Sequence, residues 1–250
     1  MLCLRIYTFT LSLSMRIKLF KSLYLKNIME KESNIKNGKV ALVIGSTGLI
    51  GQHLTKLLLE NPDFESVKVF VRKKSTLYHP KLKQIVTDFE NPDSYREQLS
   101  GDYLFCCLGT TRKKAGSKAA FKKVDYDYPV NFARIALENN VKKMMIVTAI
   151  GANSQSTFFY SKVKGEVEDS LKLMDFDQLF VFQPSLLLGE RKEKRFLENL
   201  TAYVLKLSSF ALTGFLSKYR PIPAEVVAAS MIDKTDIKER GIFVYQSNNI

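Results

Sequence analysis

Short apolar runs alternate with amphipathic segments from Lys39 to the end of the chain. Continuous apolar runs are typical of strands buried on both faces of a parallel sheet, and apolar residues every three or four positions are typical of helices. The pattern predicts strands at residues 40–44, 66–71, 83–87, 103–108, 143–148, 179–182 and 242–245. It predicts helices at residues 49–60, 93–99, 124–139, 160–172, 191–217 and 224–233.

Strands that alternate with helices indicate an α/β fold. We expect a Rossmann-type doubly wound parallel sheet, followed by a small, mostly helical C-terminal lobe. Residues 37–189 form the predicted Rossmann domain, and residues 190–250 form a substrate lobe packed on the same domain.

The first 36 residues differ from the rest of the chain. Residues 1–28 contain five basic residues and no acidic residue, and the uncharged run at 6–15 is too short to span a membrane. We interpret residues 1–36 as a leader that is disordered or not part of the native protein, with Met29 as the native start. The alternative is a membrane-surface or targeting segment.

Charge and cysteine content restrict the classes of function. The net charge of +13 is spread along the chain without a nucleic-acid-binding motif, so nucleic acid is not an expected partner. The three cysteines are an odd number, and Cys106 and Cys107 are adjacent. Free thiols indicate a reducing compartment, and we expect a cytoplasmic location. No cluster of residues has metal-ligand spacing, so we expect no metal site. We also expect no transmembrane segment, because the uncharged run at 6–15 is too short to span a membrane.

A glycine-rich turn joins the first predicted strand to the first predicted helix. Its glycines are spaced G-x-x-G-x-x-G, and strand–turn–helix is the setting that a dinucleotide-binding turn requires. The N-terminus of the following helix favours a bound pyrophosphate. The predicted contacts are Gly45, Ser46, Thr47, Gly48, Leu49, Ile50 and Gly51.

Basic residues follow the second predicted strand. An acid at this position would bind the ribose of NAD, but Arg72, Lys73 and Lys74 stand there instead. Cations suit a 2′-phosphate, so NADP(H) is favoured over NAD(H), with Arg72 as the main ligand and Lys73 beside it. The alternative is a solvated basic turn.

Two further turns lie at the predicted carboxyl edge of the sheet. Asp88 and Phe89 follow the third strand, on the side where the adenine lies in this fold. Leu108, Gly109, Thr110 and Thr111 follow the fourth strand, beside the cofactor crevice. We expect both turns to contact the cofactor.

Tyr160 and Lys164 are one helical turn apart and share a helix face. A nearby ammonium favours the phenolate, so this pair can act as a general acid and base toward a carbonyl or alcohol. Thr148 is the predicted hydroxyl that orients the substrate, and Ser154 and Ser156 are alternatives. The other interpretation is that Tyr160 and Lys164 belong to a charged surface helix.

These motifs together resemble the atypical short-chain dehydrogenase/reductase family, in the group of Tat-interacting-protein oxidoreductases. The most specific matches are Cys106-Cys107-Leu108-Gly109-Thr110-Thr111-Arg112 and the Tyr160-x-x-x-Lys164-Gly-Glu-Val-Glu168 run. The matching segments are 45–51, 71–74, 88–90, 105–116, 124–128, 158–168 and 182–188.

The resemblance implies an NADP(H)-binding domain, with Arg72 on the 2′-phosphate and Tyr160 and Lys164 in the active site. It also implies that Pro184 and Ser185 contact the nicotinamide end of the cofactor. The chain departs from the group in two places. Ala149 replaces the second residue of a Ser-Ser pair, and Gln183 stands where the group has arginine.

Three functions are compatible with these motifs. The first is an NADP(H)-dependent oxidoreductase acting on an unknown carbonyl or alcohol. The second is a non-catalytic NADPH-binding regulator or scaffold with a protein partner. The third is an epimerase or dehydratase of nucleotide sugars. The apolar face of residues 196–217 is compatible with a core position or with a homodimer interface.

Overall fold

The computed structural model describes residues 38–189 and 214–250. In these ranges the strands are β1 (Lys39–Ile44), β2 (Phe64–Val71), β3 (Leu82–Val86), β4 (Tyr103–Cys106), β5 (Lys143–Val147), β6 (Gln178–Gln183), β7 (Leu187–Leu188), β8 (Ile222–Pro223) and β9 (Gly241–Gln246). The helices are α1 (Leu49–Glu60), α2 (Arg112–Ala115), α3 (Lys118–Lys122), α4 (Tyr128–Glu138), α5 (Phe159–Lys172) and α6 (Ala224–Asp233). A π-helical turn, Lys123–Asp127, joins α3 to α4, and 3₁₀ turns lie at Pro92–Ser94, Gly214–Tyr219 and Lys234–Asp236.

Seven of these strands form one parallel sheet, in the order β3-β2-β1-β4-β5-β6-β9. The chain first builds the sheet outward from β1 to β3 and then returns to the other side of β1 with β4. This reversal leaves a crevice at the carboxyl ends of β1 and β4, where open α/β sheets bind ligands. The predicted Rossmann-type sheet is confirmed.

The core lies on both faces of the sheet because side chains alternate along each strand. On one face, residues such as Val43 and Phe105 pack against α1 and α6. On the other face, residues such as Leu104 and Ile146 pack against α4 and α5. The helices therefore cover both faces, and the strand ends are left to form the site.

The predicted helix at residues 93–99 is wrong. The structure forms only a short 3₁₀ turn there. The Ser94 hydroxyl donates to the Asn91 carbonyl at 2.7 Å, and such local bonds compete with helical ones. The carbonyls of Arg96 and Leu99 accept hydrogen bonds from the Asn139 side chain, at 2.6 and 2.9 Å. A distant residue thus takes up carbonyl groups at the end of this segment.

Two short helices in the loop after β4 were not predicted. Thr111 caps α2 by accepting a hydrogen bond from the Lys114 amide, and Ser117 caps α3 in the same way from the Ala120 amide. These helices carry the chain from β4 to the turn at Lys123–Asp127. They place Phe121 against the rings of Phe159 and Tyr160 at the start of α5.

The described part of the C-terminal segment joins the main domain. Helix α6 covers the same face of the sheet as α1, and β9 pairs with β6 to form the seventh strand. The predicted leader at residues 1–36 lies outside the described residues. So do residues 191–213 of the predicted helical segment at 191–217, and the apolar face assigned to 196–217 falls largely in the same range.

Candidate cofactor and active site

The glycine turn approaches the neighbouring strand very closely. Gly45 has a φ of +82°, and a Cβ there would lie 2.5 Å from the carbonyl oxygen of Cys107. A Cβ on Gly51 would lie 2.1 Å from the Gly45 carbonyl oxygen. Helix α1 starts after Gly48 without a side-chain cap and without an acid in its first turn. Its first amide groups are therefore not capped by a protein side chain, and the helix dipole favours an anion at this point.

Arg72, Lys73 and Lys74 are exposed immediately after β2. Arg72 lies close enough to Tyr128 for its positive charge to act on that phenol. Burial, followed by the hydrogen bond to Glu90, raises the pKa of Tyr128 to about 12. A cavity of about 520 Å³ lies between α1 and residues 75–79, and Ser46 and Thr47 line it. The basic run and the glycine turn thus flank the same edge of the sheet.

The two residues of the turn after β3, which is predicted to contact the cofactor, differ in exposure. Asp88 is exposed, and its carboxylate accepts a hydrogen bond from the Glu90 amide at 3.0 Å. Phe89 is buried, and its ring contacts Tyr128 and Phe132 edge to face. Phe89 is therefore part of the core beneath the turn.

Gly109, beyond the end of β4, lies directly beside two charged atoms. A Cβ on Gly109 would lie 3.7 Å from Asp125 Oδ1 and 3.9 Å from Lys164 Nζ. The next residue, Thr110, donates its backbone amide to Asp125 Oδ2 at 3.0 Å. The turn of Leu108 to Thr111 therefore connects the crevice with the catalytic pair predicted from the sequence.

Lys164 forms a buried ion pair with Asp125. The distance from Nζ to Oδ1 is 2.7 Å, and the two side chains are 6% and 0% exposed. Burial by itself lowers the pKa of Lys164, but attraction to Asp125 and Tyr160 outweighs this effect and raises the pKa above its ordinary value. Lys164 is therefore an ammonium at neutral pH.

Tyr160 stands one turn before Lys164 on the same face of α5 and is 44% exposed. Its ring centroid lies 5.9 Å from that of Phe121. The phenol is thus accessible to a ligand from outside, whereas the lysine beneath it is sealed from water.

Thr148 lies at the end of β5, where its hydroxyl is buried. The hydroxyl donates to Glu168 Oε1 at 2.6 Å. Gln183 donates its side-chain amide to both Glu168 oxygens, at 2.9 and 3.0 Å, and Lys172 lies 3.4 Å from Oε2. Glu168 thus ties α5 to the ends of β5 and β6.

Ser156, one of the alternatives to Thr148, accepts a hydrogen bond from the Phe158 amide at 3.1 Å.

Pro184 is buried, and its carbonyl accepts from the Ile150 amide at 3.0 Å. The Ser185 amide donates to the Ser247 hydroxyl at 2.7 Å, and the Ser185 hydroxyl donates to the Arg220 carbonyl. The segment after β6 is therefore held by the C-terminal segment.

Asp125 and Glu168 are the two site residues to which the sequence analysis assigned no role of their own. Glu168 had a local signal, because it is four residues after Lys164 on the face that carries Tyr160. Asp125 had no such signal, because its partner is 39 positions away along the chain. Among the described residues, no group of His, Cys, Asp and Glu side chains could hold a metal ion, and no helix is both long and apolar enough to cross a membrane.

Taken together, the seven-stranded parallel sheet and the glycine turn define a Rossmann-fold dinucleotide-binding protein. Residues 45–201 match the protein family described as NAD(P)H-binding, and the chain belongs to this family. It is 34% identical over 200 residues to protein FMP52, mitochondrial, of Candida albicans, covering 76% of this chain and 85% of that protein. It is 38% identical over 161 residues to protein HTATIP2 of Rattus norvegicus, covering 63% and 66%. The resemblance to the Tat-interacting-protein group is thereby confirmed.

Solved structures of low sequence identity share the fold. The enzyme WbmH of Bordetella bronchiseptica, in complex with NAD⁺, superposes with a TM-score of 0.65 at 15% identity, covering 85% of this chain and 77% of that one. A UDP-N-acetylglucosamine 4-epimerase of Methanobrevibacter ruminantium gives a TM-score of 0.61 at 17% identity, covering 84% and 76%. A short-chain dehydrogenase/reductase of Veillonella parvula gives a TM-score of 0.56 at 13% identity, covering 81% of this chain and 88% of that one.

The expected cytoplasmic location is wrong. Several relatives that align over most of the chain are FMP52 proteins, and their names describe them as mitochondrial. Free cysteines indicate only that a compartment is reducing, and they do not distinguish one such compartment from another.

The bond from Thr148 to Glu168 can be tested by Thr148→Val, which keeps the shape of the side chain and removes the proton donor. We expect a loss of about 1–3 kcal/mol in the free energy of unfolding, because a buried carboxylate loses a hydrogen bond. Urea unfolding followed by circular dichroism measures it. Thr157→Val, at an exposed position ahead of α5, is the matched control, with a change within about 0.5 kcal/mol. Equal losses of unfolding free energy in Thr148→Val and Thr157→Val would contradict the hydrogen bond from Thr148 to Glu168.

Proposed function

We propose that the protein is an NADP(H)-dependent oxidoreductase of the atypical short-chain dehydrogenase type, acting on a carbonyl or an alcohol. The observation that carries the proposal is the position of the Tyr160–Lys164 pair. The buried ammonium lies beside Gly109 at the crevice of the sheet, and the accessible phenol lies one helical turn away. An acid–base group and a cation at this crevice are what hydride transfer to a carbonyl requires.

The residues at the crevice fit a dinucleotide. The uncapped N-terminus of α1 offers its first amides, and the glycines leave room for a pyrophosphate against the backbone. Ser46, Thr47, Arg72 and Lys73 would hold the 2′-phosphate end. Asp88 would flank the adenine, and the buried ring of Phe89 would support this turn from beneath. The remaining assigned contacts are Leu108, Gly109, Thr110 and Thr111 along the crevice, and Pro184 and Ser185 at the nicotinamide end.

The bound cofactor would supply or accept the hydride. Tyr160 would donate its hydroxyl proton to the carbonyl oxygen during reduction and take it back during oxidation. Lys164, held as an ammonium, would bind the ribose next to the nicotinamide. The ring of Phe121 packs beside the phenol and would shield it from water on that side.

Three hydroxyl groups are candidates for orienting the substrate. Thr148 can orient a substrate only if its hydroxyl hydrogen turns away from Glu168, because in this structure the hydroxyl donates to the Glu168 carboxylate. Ser154 and Ser156 lie in the loop that precedes Tyr160. The Ser156 oxygen accepts a hydrogen bond from the backbone, so its own hydrogen can point toward a substrate oxygen. We therefore favour Ser156 for this role.

Replacing Arg72 tests the preference for NADP(H). We expect Arg72→Ala to weaken NADPH binding by about tenfold to a hundredfold and to leave NADH binding unchanged, because only NADPH carries the 2′-phosphate. Titration of each cofactor by isothermal calorimetry measures both constants. Lys83→Ala removes one exposed positive charge from the edge strand β3 and serves as the control. Equal weakening of NADPH and NADH by Arg72→Ala would rule out a 2′-phosphate contact.

Replacing Tyr160 distinguishes an enzyme from a binding protein. We expect Tyr160→Phe to lower kcat by about a hundredfold or more while NADPH affinity is retained, because only the proton donor is lost. The assay follows NADPH absorbance over a panel of aldehydes, ketones and quinones. Tyr245→Phe, on the outer strand β9, is the control. Turnover that survives in Tyr160→Phe, or a wild type that binds NADPH but turns over none of the panel, contradicts the catalytic assignment and favours the regulatory alternative.

A mitochondrial location is the second part of the proposal. It is supported by the names of the FMP52 relatives and by residues 1–28, which are basic and lack acids, as mitochondrial targeting segments do. Fractionation of cells that express the full chain with a C-terminal tag tests it. We expect the tagged protein in the mitochondrial fraction, and loss of that location when residues 1–28 are removed. Recovery of the full chain only outside mitochondria would refute it.

A further inference from the structure

The carboxylate of Asp125 is fixed on both of its oxygens. Oδ1 pairs with Lys164 Nζ at 2.7 Å, and Oδ2 accepts the Thr110 amide at 3.0 Å. The side chain is fully buried in the π-helical turn Lys123–Asp127. Reorienting this buried carboxylate would break both contacts at a large cost in free energy, so its negative charge stays at one place.

The ion pair lies directly beneath the backbone of Gly109. Asp125 Oδ1 and Lys164 Nζ are the atoms that a Cβ on Gly109 would meet, at 3.7 and 3.9 Å, and Gly109 itself is exposed. Because glycine has no side chain, the exposed surface at Gly109 comes within about one atomic contact of the two buried charges. A group lying against the Gly109 backbone would be within reach of both.

The charges around this point nearly cancel. Lys164 contributes one positive charge and Asp125 one negative charge. The thiol of Cys106 also interacts with the pair, but burial raises its pKa to about 12, so it is neutral at neutral pH. The phenol of Tyr160 is the other titratable group that acts on Lys164. Without Asp125, the crevice would present an uncompensated ammonium.

An uncompensated ammonium would distinguish between the two redox states of a nicotinamide cofactor. The oxidised ring carries a positive charge and the reduced ring is neutral, so a nearby cation disfavours the oxidised form alone. We propose that Asp125 sets the selectivity of the site between oxidised and reduced cofactor, by cancelling the charge of Lys164 and so letting NADP⁺ bind. This inference rests on the proposed function, because it places the nicotinamide end of the cofactor near Lys164.

The test compares the dissociation constants of NADP⁺ and NADPH, measured by isothermal calorimetry on the full chain. In Asp125→Asn, which preserves the size of the side chain, we expect the ratio of the NADP⁺ constant to the NADPH constant to rise by about fivefold to fiftyfold. Asp127→Asn removes the same charge from the same turn, two residues away, and should leave the ratio unchanged. A purely structural role of Asp125 would weaken both cofactors equally.

A second variant covers the case in which Asp125→Asn does not fold, as its circular dichroism spectrum would show. Lys164→Met leaves the carboxylate without its cation, and we expect the ratio to move the other way, in favour of NADP⁺. The inference is overturned if Asp125→Asn folds with an unchanged ratio, if Asp127→Asn shifts it equally, or if Lys164→Met raises it. A wild type that binds neither cofactor overturns the proposed function itself, whereas normal binding with an insensitive ratio overturns only the role of Asp125.

Discussion

Two buried charged side chains fix helix α5, one to the π-helical turn before α4 and one to the ends of β5 and β6, and the geometry of the candidate site depends on these anchors. Lys164 pairs with Asp125, and four residues later Glu168 binds Thr148 and Gln183. A buried charge that loses its partner costs several kcal/mol, so a helix that rotated or slid along its axis would lose both anchors at once. The position of Tyr160, on the same face, follows from them.

The close approach of α5 to the preceding loop also fixes the position of this helix. A Cβ on Gly165 would lie 2.1 Å from the Ser154 amide nitrogen, so only glycine permits this distance. The loop that supplies the candidate substrate hydroxyls is thereby pressed against the helix that supplies the acid–base pair. Gln183 keeps Glu168 hydrogen-bonded without adding a charge, and the cation near Glu168 comes from Lys172.

Local sequence patterns predicted most of the fold and only part of the site. The apolar runs located each strand of the main sheet because burial on both faces leaves a continuous signal in the sequence. The helix expected at 93–99 is wrong because the Ser94 hydroxyl bonds to the preceding Asn91 carbonyl and the Asn139 side chain takes up the Arg96 and Leu99 carbonyls. The Asn139 bonds are long-range contacts that periodicity does not encode. Tyr160 and Lys164 were found because they are neighbours along one helix. Asp125 was not, because the fold alone brings it to Lys164.

The central claim is that the dinucleotide lies along the crevice from the glycine turn to the ion pair. A crystal structure of the protein grown with NADPH tests it most directly. The account predicts the pyrophosphate against the amides at the start of α1, the 2′-phosphate beside Arg72, and the nicotinamide ribose within hydrogen-bonding distance of Lys164 Nζ. A pyrophosphate bound away from the glycine turn, or a nicotinamide ribose far from Lys164, would contradict it.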